Sequence, residues 1–264
     1  MKKISGCELA RILAAAALLT AFAVQAEAPN IAWRLVKTYP HDAHDFTQGL
    51  VWSEGRLYES AGQYGSSRLA EKKLATGRTL HETKVPATEF AEGLTLLGQQ
   101  LWQLTWREGV AHIYDLALKP LATKHYLGEG WGLTSDGRQL IVSDGSPSLY
   151  FVVPESVTAD RSVTVHDGAQ LISQLNELEW VRGAIFANVW TTQKIARIDP
   201  ASGEVTGWLD CAQLEVLAGI TPEQHQAGAV LNGIAWRADK GHLLITGKWW
   251  PKLFEIELLP AEGK

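Results

Sequence analysis

The sequence is poor in cysteine, methionine and long apolar runs, and each scarcity narrows what the chain can be. Only two cysteines and one methionine occur among 264 residues. Cys7 lies in the N-terminal segment, so Cys211 is alone in the remainder and no intrachain disulfide can stabilise that part. A lone cysteine without a Cys/His cluster is more often a small buried apolar group than a nucleophile. No apolar run after residue 26 is long enough to span a bilayer as a helix.

Basic residues are also in the minority, with 24 Lys and Arg against 29 Asp and Glu and a formal net charge of −5. An acidic chain lacks the basic surface that binds phosphates, so we expect no nucleic-acid partner. Helical periodicity is scarce too, and after the N-terminal segment only residues 213–218 and 222–226 allow a short helix. These scarcities favour an all-β protein.

The N-terminal segment predicts export. Three basic residues precede an apolar run at positions 12–24, which ends at the small-residue pattern Val24-Gln25-Ala26. The run falls within the ~7–15 residues of a signal-peptide core and is too short to span a bilayer. We therefore predict a signal peptide over residues 1–26, with Ala28 as a second possible cleavage position. Residues 27–264 would form a single periplasmic or secreted domain that does not contact the membrane after cleavage.

A degenerate repeat recurs five times after this segment. Each copy has a polar or aromatic residue, usually a glycine, then Leu or Ile, a turn, and a second β-run that ends in small and aromatic residues. The copies begin at Gln48-Gly49-Leu50, Glu92-Gly93-Leu94, Trp131-Gly132-Leu133, Asn176-Glu177-Leu178 and Asn232-Gly233-Ile234. Spacings of about 40–55 residues with several short strands each are typical of propeller blades. We therefore predict an all-β, five-bladed β-propeller with a central channel.

Further β-runs complete the predicted blades. Third strands are expected at residues 67–74, 111–115, 149–153 and 195–199, and fourth strands at 78–85 and 119–126. Ring closure requires the termini to meet, so we predict that residues 31–38 form the outer strand of the last blade beside residues 252–258. The long final spacing predicts an insertion at residues 211–229. The fourth copy, which begins at Asn176, is the weakest.

The repeat places one residue of each copy at an equivalent position on the channel. The innermost strands of a propeller surround its channel, and glycine there suits close backbone approach. The residues before the glycine position should form a ring: Gln48, Glu92, Trp131, Asn176 and Asn232. The second strands should end near the same rim, at Glu59, Trp106, Asp144, Trp190 and Lys248.

Eleven tryptophans are unusual, because each indole N–H requires a hydrogen-bond partner when buried. Their positions in the repeat divide them into two groups. We expect four to line or adjoin a channel pocket: Trp106, Trp131, Trp190 and Trp249. We expect five others to pack between blades: Trp33, Trp52, Trp102, Trp208 and Trp236.

Glu92 and Lys248 are the two titratable groups of this expected pocket. Burial among aromatic rings raises the pKa of a carboxyl group, whereas a neighbouring ammonium lowers it. The sequence leaves the net direction open. An inner Glu–Lys pair is also compatible with a purely structural ion pair.

Seven short motifs follow one another along the blades. They are Phe46-Thr47-Gln48-Gly49-Leu50, Phe90-Ala91-Glu92-Gly93-Leu94-Thr95, Gln103-Leu104-Thr105-Trp106, Gly128-Glu129-Gly130-Trp131-Gly132-Leu133, Leu175-Asn176-Glu177-Leu178-Glu179, Ala187-Asn188-Val189-Trp190 and Thr246-Gly247-Lys248-Trp249. Together they resemble the plant- and bacterial-type glutaminyl-peptide cyclotransferases, from about Trp33 to Leu258. That family is a five-bladed propeller, in agreement with the number of repeats.

The resemblance implies a reaction in which the amine of an N-terminal glutamine attacks its own side-chain amide, ammonia leaves and pyroglutamate forms. The family's acid/base carboxylate corresponds to Glu92. Its polar groups, which would hold the amide and stabilise the oxyanion, correspond to Gln48, Asn176 and Lys248. Its aromatic walls correspond to Phe46, Phe90, Trp106, Trp131 and Trp190. The implied partners are peptides or proteins with N-terminal glutamine, with no cofactor, no metal and a monomeric chain. No family role falls on Asn232.

Other signals were weighed against this interpretation. The run His41-Asp42-Ala43-His44-Asp45 suggests a metal site, but its His pair has no third ligand cluster in the sequence, so a turn-capping role is favoured. Two rival functions remain: a non-catalytic peptide-binding propeller, against which Glu92 counts, and a sugar or lactone hydrolase. The hydrolase needs channel metal ligands, which a ring containing Glu92, Asn176 and Asn232 supplies poorly.

Overall fold

The computed structural model describes residues 27–260, and the predicted signal peptide lies outside this range. The described chain contains 22 β-strands and two short helices. Twenty of the strands form five four-stranded antiparallel sheets, and the other two form a hairpin. The sheets are the blades of a five-bladed β-propeller, which confirms the predicted fold. No helix among these residues is long and apolar enough to cross a membrane.

The strands are numbered along the chain, and β1 (Trp33–Pro40) belongs to the last blade. Blade 1 contains β2 (Thr47–Ser53), β3 (Arg56–Ala61), β4 (Arg68–Lys73) and β5 (Arg78–Lys84). Blade 2 contains β6 (Ala91–Leu97), β7 (Gln100–Thr105), β8 (Val110–Asp115) and β9 (Pro120–His125). Blade 3 contains β10 (Leu133–Ser135), β11 (Leu140–Ser143), β12 (Ser148–Val153) and β13 (Thr158–Thr164).

The hairpin of β14 (His166–Asp167) and β15 (Gln170–Leu171) precedes blade 4. Blade 4 contains β16 (Leu175–Val181), β17 (Ala184–Val189), β18 (Lys194–Ile198) and β19 (Val205–Asp210). Blade 5 contains β20 (Leu231–Arg237), β21 (His242–Gly247), β22 (Lys252–Leu258) and β1. The predicted third strands thus correspond to β4, β8, β12 and β18, and the two predicted fourth strands to β5 and β9.

Blade 5 closes the ring with both ends of the described chain. Strand β1 pairs antiparallel with β22, with Trp33 opposite Leu258 and Pro40 opposite Lys252. This confirms that the N-terminal run is the outer strand of the last blade. The predicted insertion between blades 4 and 5 holds α1 (Ala212–Ala218) and α2 (Pro222–Gln226). Thr221 caps α2, because its hydroxyl accepts the Gln224 N–H at 3.2 Å.

The hydrophobic core lies mainly between neighbouring blades. Each of the five tryptophans expected there packs against one of its buried clusters: Trp33, Trp52, Trp102, Trp208 and Trp236. Cys211 is fully buried in the cluster beneath α1, and burial raises the pKa of its thiol. It is therefore a small apolar core residue, as the sequence indicated.

The innermost strands approach one another at backbone-contact distance. A Cβ atom added to Gly49 would lie 2.5 Å from the Leu94 nitrogen, and one added to Gly93 would lie 2.5 Å from the Leu133 nitrogen. No side chain fits at these positions without moving the next blade. The repeated glycine is therefore a consequence of crowding at the propeller axis.

Ring residues in four blades lie at irregularities of strand pairing. The register shifts between Thr47 and Gly49 in β2 and between Ala91 and Leu94 in β6. It shifts likewise between Leu175 and Leu178 in β16 and between Leu231 and Ile234 in β20. A β-bulge re-aims a side chain relative to the regular pleat. The irregularities fall on the residues that the repeat assigned to the ring: Gln48, Glu92, Asn176 and Asn232.

Glu177 takes the glycine position in the fourth copy, and its contacts explain why that copy is weak. Its side chain is fully buried and accepts the Ile234 N–H at 2.9 Å and the Leu50 N–H at 3.3 Å. Burial raises the pKa of this carboxyl group well above its usual value, and Glu179 adds to the effect. A single side chain of blade 4 thus binds backbone groups of blades 1 and 5.

We expect Glu177→Ala to lower the free energy of unfolding by roughly 2 to 4 kcal/mol, because it leaves two buried N–H groups without acceptors. Denaturant titration measures the change. The matched control is Glu155→Ala, which removes an exposed turn carboxylate and should have little effect. Equal stability of the two variants would show that the contacts across the axis contribute nothing.

Candidate active site

A cavity of about 170 Å³ lies where the innermost strands begin. Its lining consists of five aromatic residues, two amides, one carboxyl group and one ammonium: Phe46, Gln48, Phe90, Glu92, Trp106, Trp131, Asn176, Trp190 and Lys248. The structure therefore brings together all nine residues that the sequence assigned to the site. They come from all five blades.

Some residues expected near the same rim lie elsewhere. Glu59 is fully buried away from the cavity, because His41 and Thr47 bind its carboxylate. Asp144 lines a different cavity, between blades 2 and 3. Trp249, by contrast, adjoins the pocket as expected, because its ring packs 4.6 Å from that of the lining residue Phe46. The structure thus places four of the five ring residues in the pocket lining, with Asn232 beside Gln48, and the predicted second-strand rim extended too far.

A chain of hydrogen bonds orients the polar side of the pocket. Asn232 is fully buried, and its Nδ2 donates to the Thr47 carbonyl at 2.9 Å and to Gln48 Oε1 at 3.2 Å. Gln48 Nε2 in turn donates to Glu92 Oε1 at 2.9 Å. Asn232, which had no role by resemblance, therefore holds the Gln48 amide with its NH₂ group towards Glu92.

The main chain of Glu92 is also fixed by a hydrogen bond. Ser60 Oγ, at the end of β3, donates to the Glu92 carbonyl at 2.5 Å. Ser143 Oγ does the same for the Asn176 carbonyl at 2.6 Å. Each hydroxyl belongs to the blade before the ring residue that it binds. Neighbouring blades thus fix one another's pocket residues.

Burial decides the electrostatics of the pocket. It raises the pKa of Glu92 well above 4.5, and although Lys248 opposes the shift, Glu129 and Glu108 reinforce it. Burial also lowers the pKa of Lys248 to about 8, against the effect of Glu92. The direction that the sequence left open is therefore upward for the carboxyl group.

Glu92 and Lys248 influence each other without forming a contact ion pair. No salt bridge within 4 Å joins them in the part of the chain that the structure describes. Lys248 Nζ instead lies 4.6 Å from the ring centroid of Phe46 and 5.9 Å from that of Trp190. Aromatic faces stabilise the desolvated ammonium. The geometry does not support the structural ion pair considered from the sequence.

The aromatic walls pack edge to face. The Phe46 and Phe90 centroids are 5.9 Å apart at 88°, and those of Trp131 and Trp190 are 5.7 Å apart at 89°. Phe90 continues the wall to Trp106 at 5.8 Å. These arrangements are favourable for ring quadrupoles and limit ring motion.

Glu129 is a site residue that the sequence analysis missed. Its Oε2 accepts the indole N–H of Trp106 at 2.8 Å and that of Trp131 at 3.0 Å. Its Oε1 accepts from Arg107 Nε at 3.0 Å, and the Arg107 guanidinium stacks 3.7 Å from the Trp106 ring. These hydrogen bonds keep the pKa of Glu129 below its usual value. The feature of the sequence that could have identified Glu129 is its position two residues before Trp131, the tryptophan of the predicted ring.

The sequence shows no third ligand cluster for the pair His41 and His44, but the folded chain brings a third potential metal ligand to His41. Ligand atoms of His41, Asp45 and Glu59 lie within 4.8 Å of one another, so β3 supplies the third group that the local sequence lacked. His44 is instead exposed and bonds Asp42.

Two cationic side chains already occupy this cluster. Lys72 and Arg68 each bind Asp45, and Lys72 Nζ lies 3.8 Å from Glu59 Oε2. His41 Nε2 lies 3.0 Å from Glu59 Oε1. The donor set therefore fits a buried network of side-chain charges better than a metal ion.

A buried acid between two amides and an ammonium, inside aromatic walls, can move protons and stabilise negative charge on a small polar group. The fold and pocket thus define a five-bladed propeller with a buried carboxyl group in an aromatic-walled pocket, where the innermost strands begin. The model of the glutamine cyclotransferase family matches residues 9–258. The chain belongs to this family.

Two relatives illustrate the match. A glutaminyl-peptide cyclotransferase of Arabidopsis thaliana is 40% identical over 236 residues, which cover 87% of this chain and 72% of that protein. The crystal structure of Myxococcus xanthus glutaminyl cyclase superposes with a TM-score of 0.82 at 34% identity, covering 89% of this chain and 100% of that one. The resemblance found in the sequence is confirmed.

We expect Glu129→Ala to accelerate hydrogen exchange of the Trp106 and Trp131 indole N–H groups about tenfold or more, because both lose a charge-assisted hydrogen bond. Nitrogen–proton NMR of the indoles measures this, with each signal assigned by a Trp→Phe variant. Glu129→Gln keeps one acceptor oxygen and should give an intermediate rate. The Trp250 indole, which donates to the Ala229 carbonyl, is the internal control. Unchanged exchange at Trp106 and Trp131 would contradict the anchoring role.

Proposed function

We propose that the chain is a glutaminyl-peptide cyclotransferase that converts N-terminal glutamine to pyroglutamate and releases ammonia. The observation that carries the proposal is Glu92, a buried carboxyl group with a raised pKa that is hydrogen-bonded to Gln48 inside an aromatic pocket. Family membership and the Arabidopsis relative support the same reaction.

Glu92 is the proposed proton shuttle. The neutral α-amine attacks the side-chain amide carbon, and Glu92 takes one proton from the amine nitrogen as the new C–N bond forms. It then gives that proton to the amide nitrogen as the old C–N bond breaks, so ammonia leaves and Glu92 returns to its initial state. A carboxyl group with a raised pKa suits both transfers near neutral pH.

Polar neighbours stabilise the oxyanion of the tetrahedral intermediate. Lys248 lies in the lining with a pKa lowered to about 8, so a large fraction carries its charge at neutral pH. Asn176 Oδ1 is buried, and no group among residues 27–260 hydrogen-bonds to it. This oxygen is therefore available to accept a hydrogen bond from the NH₂ group of the substrate amide. Gln48 supplies a further donor beside Glu92.

The aromatic walls hold the side-chain amide of the substrate close to its own α-amine. A cavity of about 170 Å³ is small for a ligand site, so a glutamine side chain inside it is folded back towards its own amine. Phe46, Phe90, Trp106, Trp131 and Trp190 form this enclosure. It also excludes water, which would otherwise solvate Glu92 and lower its pKa.

The proposed mechanism uses no metal ion. The pocket offers one carboxyl group and no histidine, whereas catalytic zinc requires three protein ligands. The nearby His41, Asp45 and Glu59 cluster is occupied by Lys72 and Arg68. We further propose that the signal peptide directs the chain to the periplasm or outside the cell. Its substrates there are peptides or proteins with N-terminal glutamine, and the chain acts as a monomer.

The test incubates purified mature protein, with chelator, with a short peptide that begins with glutamine. Mass spectrometry should record the loss of one ammonia per peptide. We expect Glu92→Gln to lower kcat by a factor of about 10² to 10⁴ with little change in KM, because the amide keeps the shape and hydrogen-bonding capacity of the side chain but cannot shuttle a proton.

The outcomes separate the parts of the proposal. A matched peptide that begins with asparagine is the substrate control, and Glu155→Gln is the protein control. Peptide binding without ammonia release would favour the non-catalytic propeller. Turnover that survives Glu92→Gln would contradict the shuttle but leave the activity intact, and turnover that requires added metal would contradict the metal-free mechanism.

A further inference from the structure

The pocket holds little more than one residue of a peptide substrate. Its volume is about 170 Å³, below the range of about 300–1,000 Å³ that is usual for small-molecule sites. Residues that follow the N-terminal glutamine must therefore lie against the surface beside the pocket. Two grooves adjoin it. One is lined by Glu129, which accepts hydrogen bonds from the pocket residues Trp106 and Trp131, and the other shares the lining residue Trp190 with the pocket.

The larger groove runs between blades 2 and 3 and has a volume of about 610 Å³. The groove exposes part of the hydrophobic cluster that joins these two blades. Four partly buried members of that cluster line it: Tyr126, Val142, Tyr150 and Val157. Tyr126 donates its hydroxyl to the Thr105 carbonyl. Its polar atom is thus satisfied within the protein, which leaves the ring as apolar surface.

Leu127 gives this groove an unusual rim. It is fully exposed, in the loop between β9 and β10 that also carries Glu129 and Trp131. Burying a leucine side chain stabilises a complex by up to about 1.5–3 kcal/mol, so a ligand that covers Leu127 gains affinity. Glu129 binds the pocket tryptophans with one face and lines the groove. One side chain thus connects the groove to the aromatic wall of the pocket.

The second groove lies beside blade 4 and is the alternative path. It has a volume of about 500 Å³, and polar side chains such as Asp167, Gln170 and Lys194 contribute much of its lining. Leu171 and Trp190 are its exposed apolar residues. Asp167 already accepts hydrogen bonds from the Ala28 N–H and the Trp208 indole N–H, so a ligand gains little from it. The groove between blades 2 and 3 offers the larger apolar gain.

We propose that the groove between blades 2 and 3 is a substrate subsite that binds the apolar side chain of the residue after the N-terminal glutamine, with Leu127 as its outer wall. The proposal rests on the cyclotransferase function proposed above. It assigns the enzyme a preference at the second position for Leu, Ile, Val or Phe over glycine or acidic residues. The acidic groups Glu129 and Asp144 at the groove disfavour an acidic second residue.

The experiment measures kcat/KM for peptides of the form Gln-X-Ala-amide, with X as Gly, Leu or Asp. We expect the wild type to favour Leu over Gly about tenfold, which corresponds to about 1.4 kcal/mol. Leu127→Ser should reduce this ratio about threefold or more and leave the Gly peptide unaffected. Leu127→Phe should keep or raise the ratio. Because Leu127 is fully exposed, neither change disturbs the core.

Leu171→Ser is the matched control, since it removes an exposed leucine from the other groove. A ratio near one in the wild type, or a ratio that falls in Leu171→Ser and not in Leu127→Ser, would overturn the assignment. Turnover of the Gly peptide tests the proposed function separately. If no peptide is cyclised, calorimetric binding of the same peptides gives the Leu-to-Gly ratio, and its dependence on Leu127 still decides the subsite.

Discussion

Crowding at the propeller axis is the constraint on which the rest of this structure depends. The innermost strands of neighbouring blades approach so closely that no side chain fits at Gly49 or Gly93, where one backbone faces the next. The strand pairing becomes irregular at the same positions. Gln48 and Glu92, which precede these two glycines, are therefore turned out of the regular pleat, and both line the pocket.

The close approach of the innermost strands also excludes water from the pocket. Glu92 and Lys248 are almost completely buried, yet they form no contact ion pair within the described chain. Burial therefore raises the pKa of the carboxyl group and lowers that of the ammonium, and both shift towards neutrality. The shifted pKa values thus follow from where the fold places two ordinary side chains, and the hydrogen bonds from Asn232 to Gln48 and from Gln48 to Glu92 orient the carboxyl group.

Much of this could be predicted from the sequence, because the repeat encodes both the fold and the ring. Five copies predicted five blades, and the alignment of the copies placed Gln48, Glu92 and Asn176 at one level. The contacts of Glu129 could not be predicted, since they join two loops whose separation only the folded ring sets. The third member of the His41 cluster was missed because Glu59 reaches it from the next strand. Glu177 looked like a degraded repeat, but it binds backbone groups across the axis.

The most direct test of this account is the titration of the Glu92 carboxyl group itself. Infrared difference spectra between the wild type and Glu92→Gln isolate the carbonyl stretch of the protonated acid as a function of pH. The account predicts that this band persists well above pH 4.5, the usual value for a glutamate, and that Lys248→Met extends it to still higher pH by removing the opposing charge. Loss of the band at or below pH 4.5 would contradict the claim that burial prepares Glu92 for proton transfer.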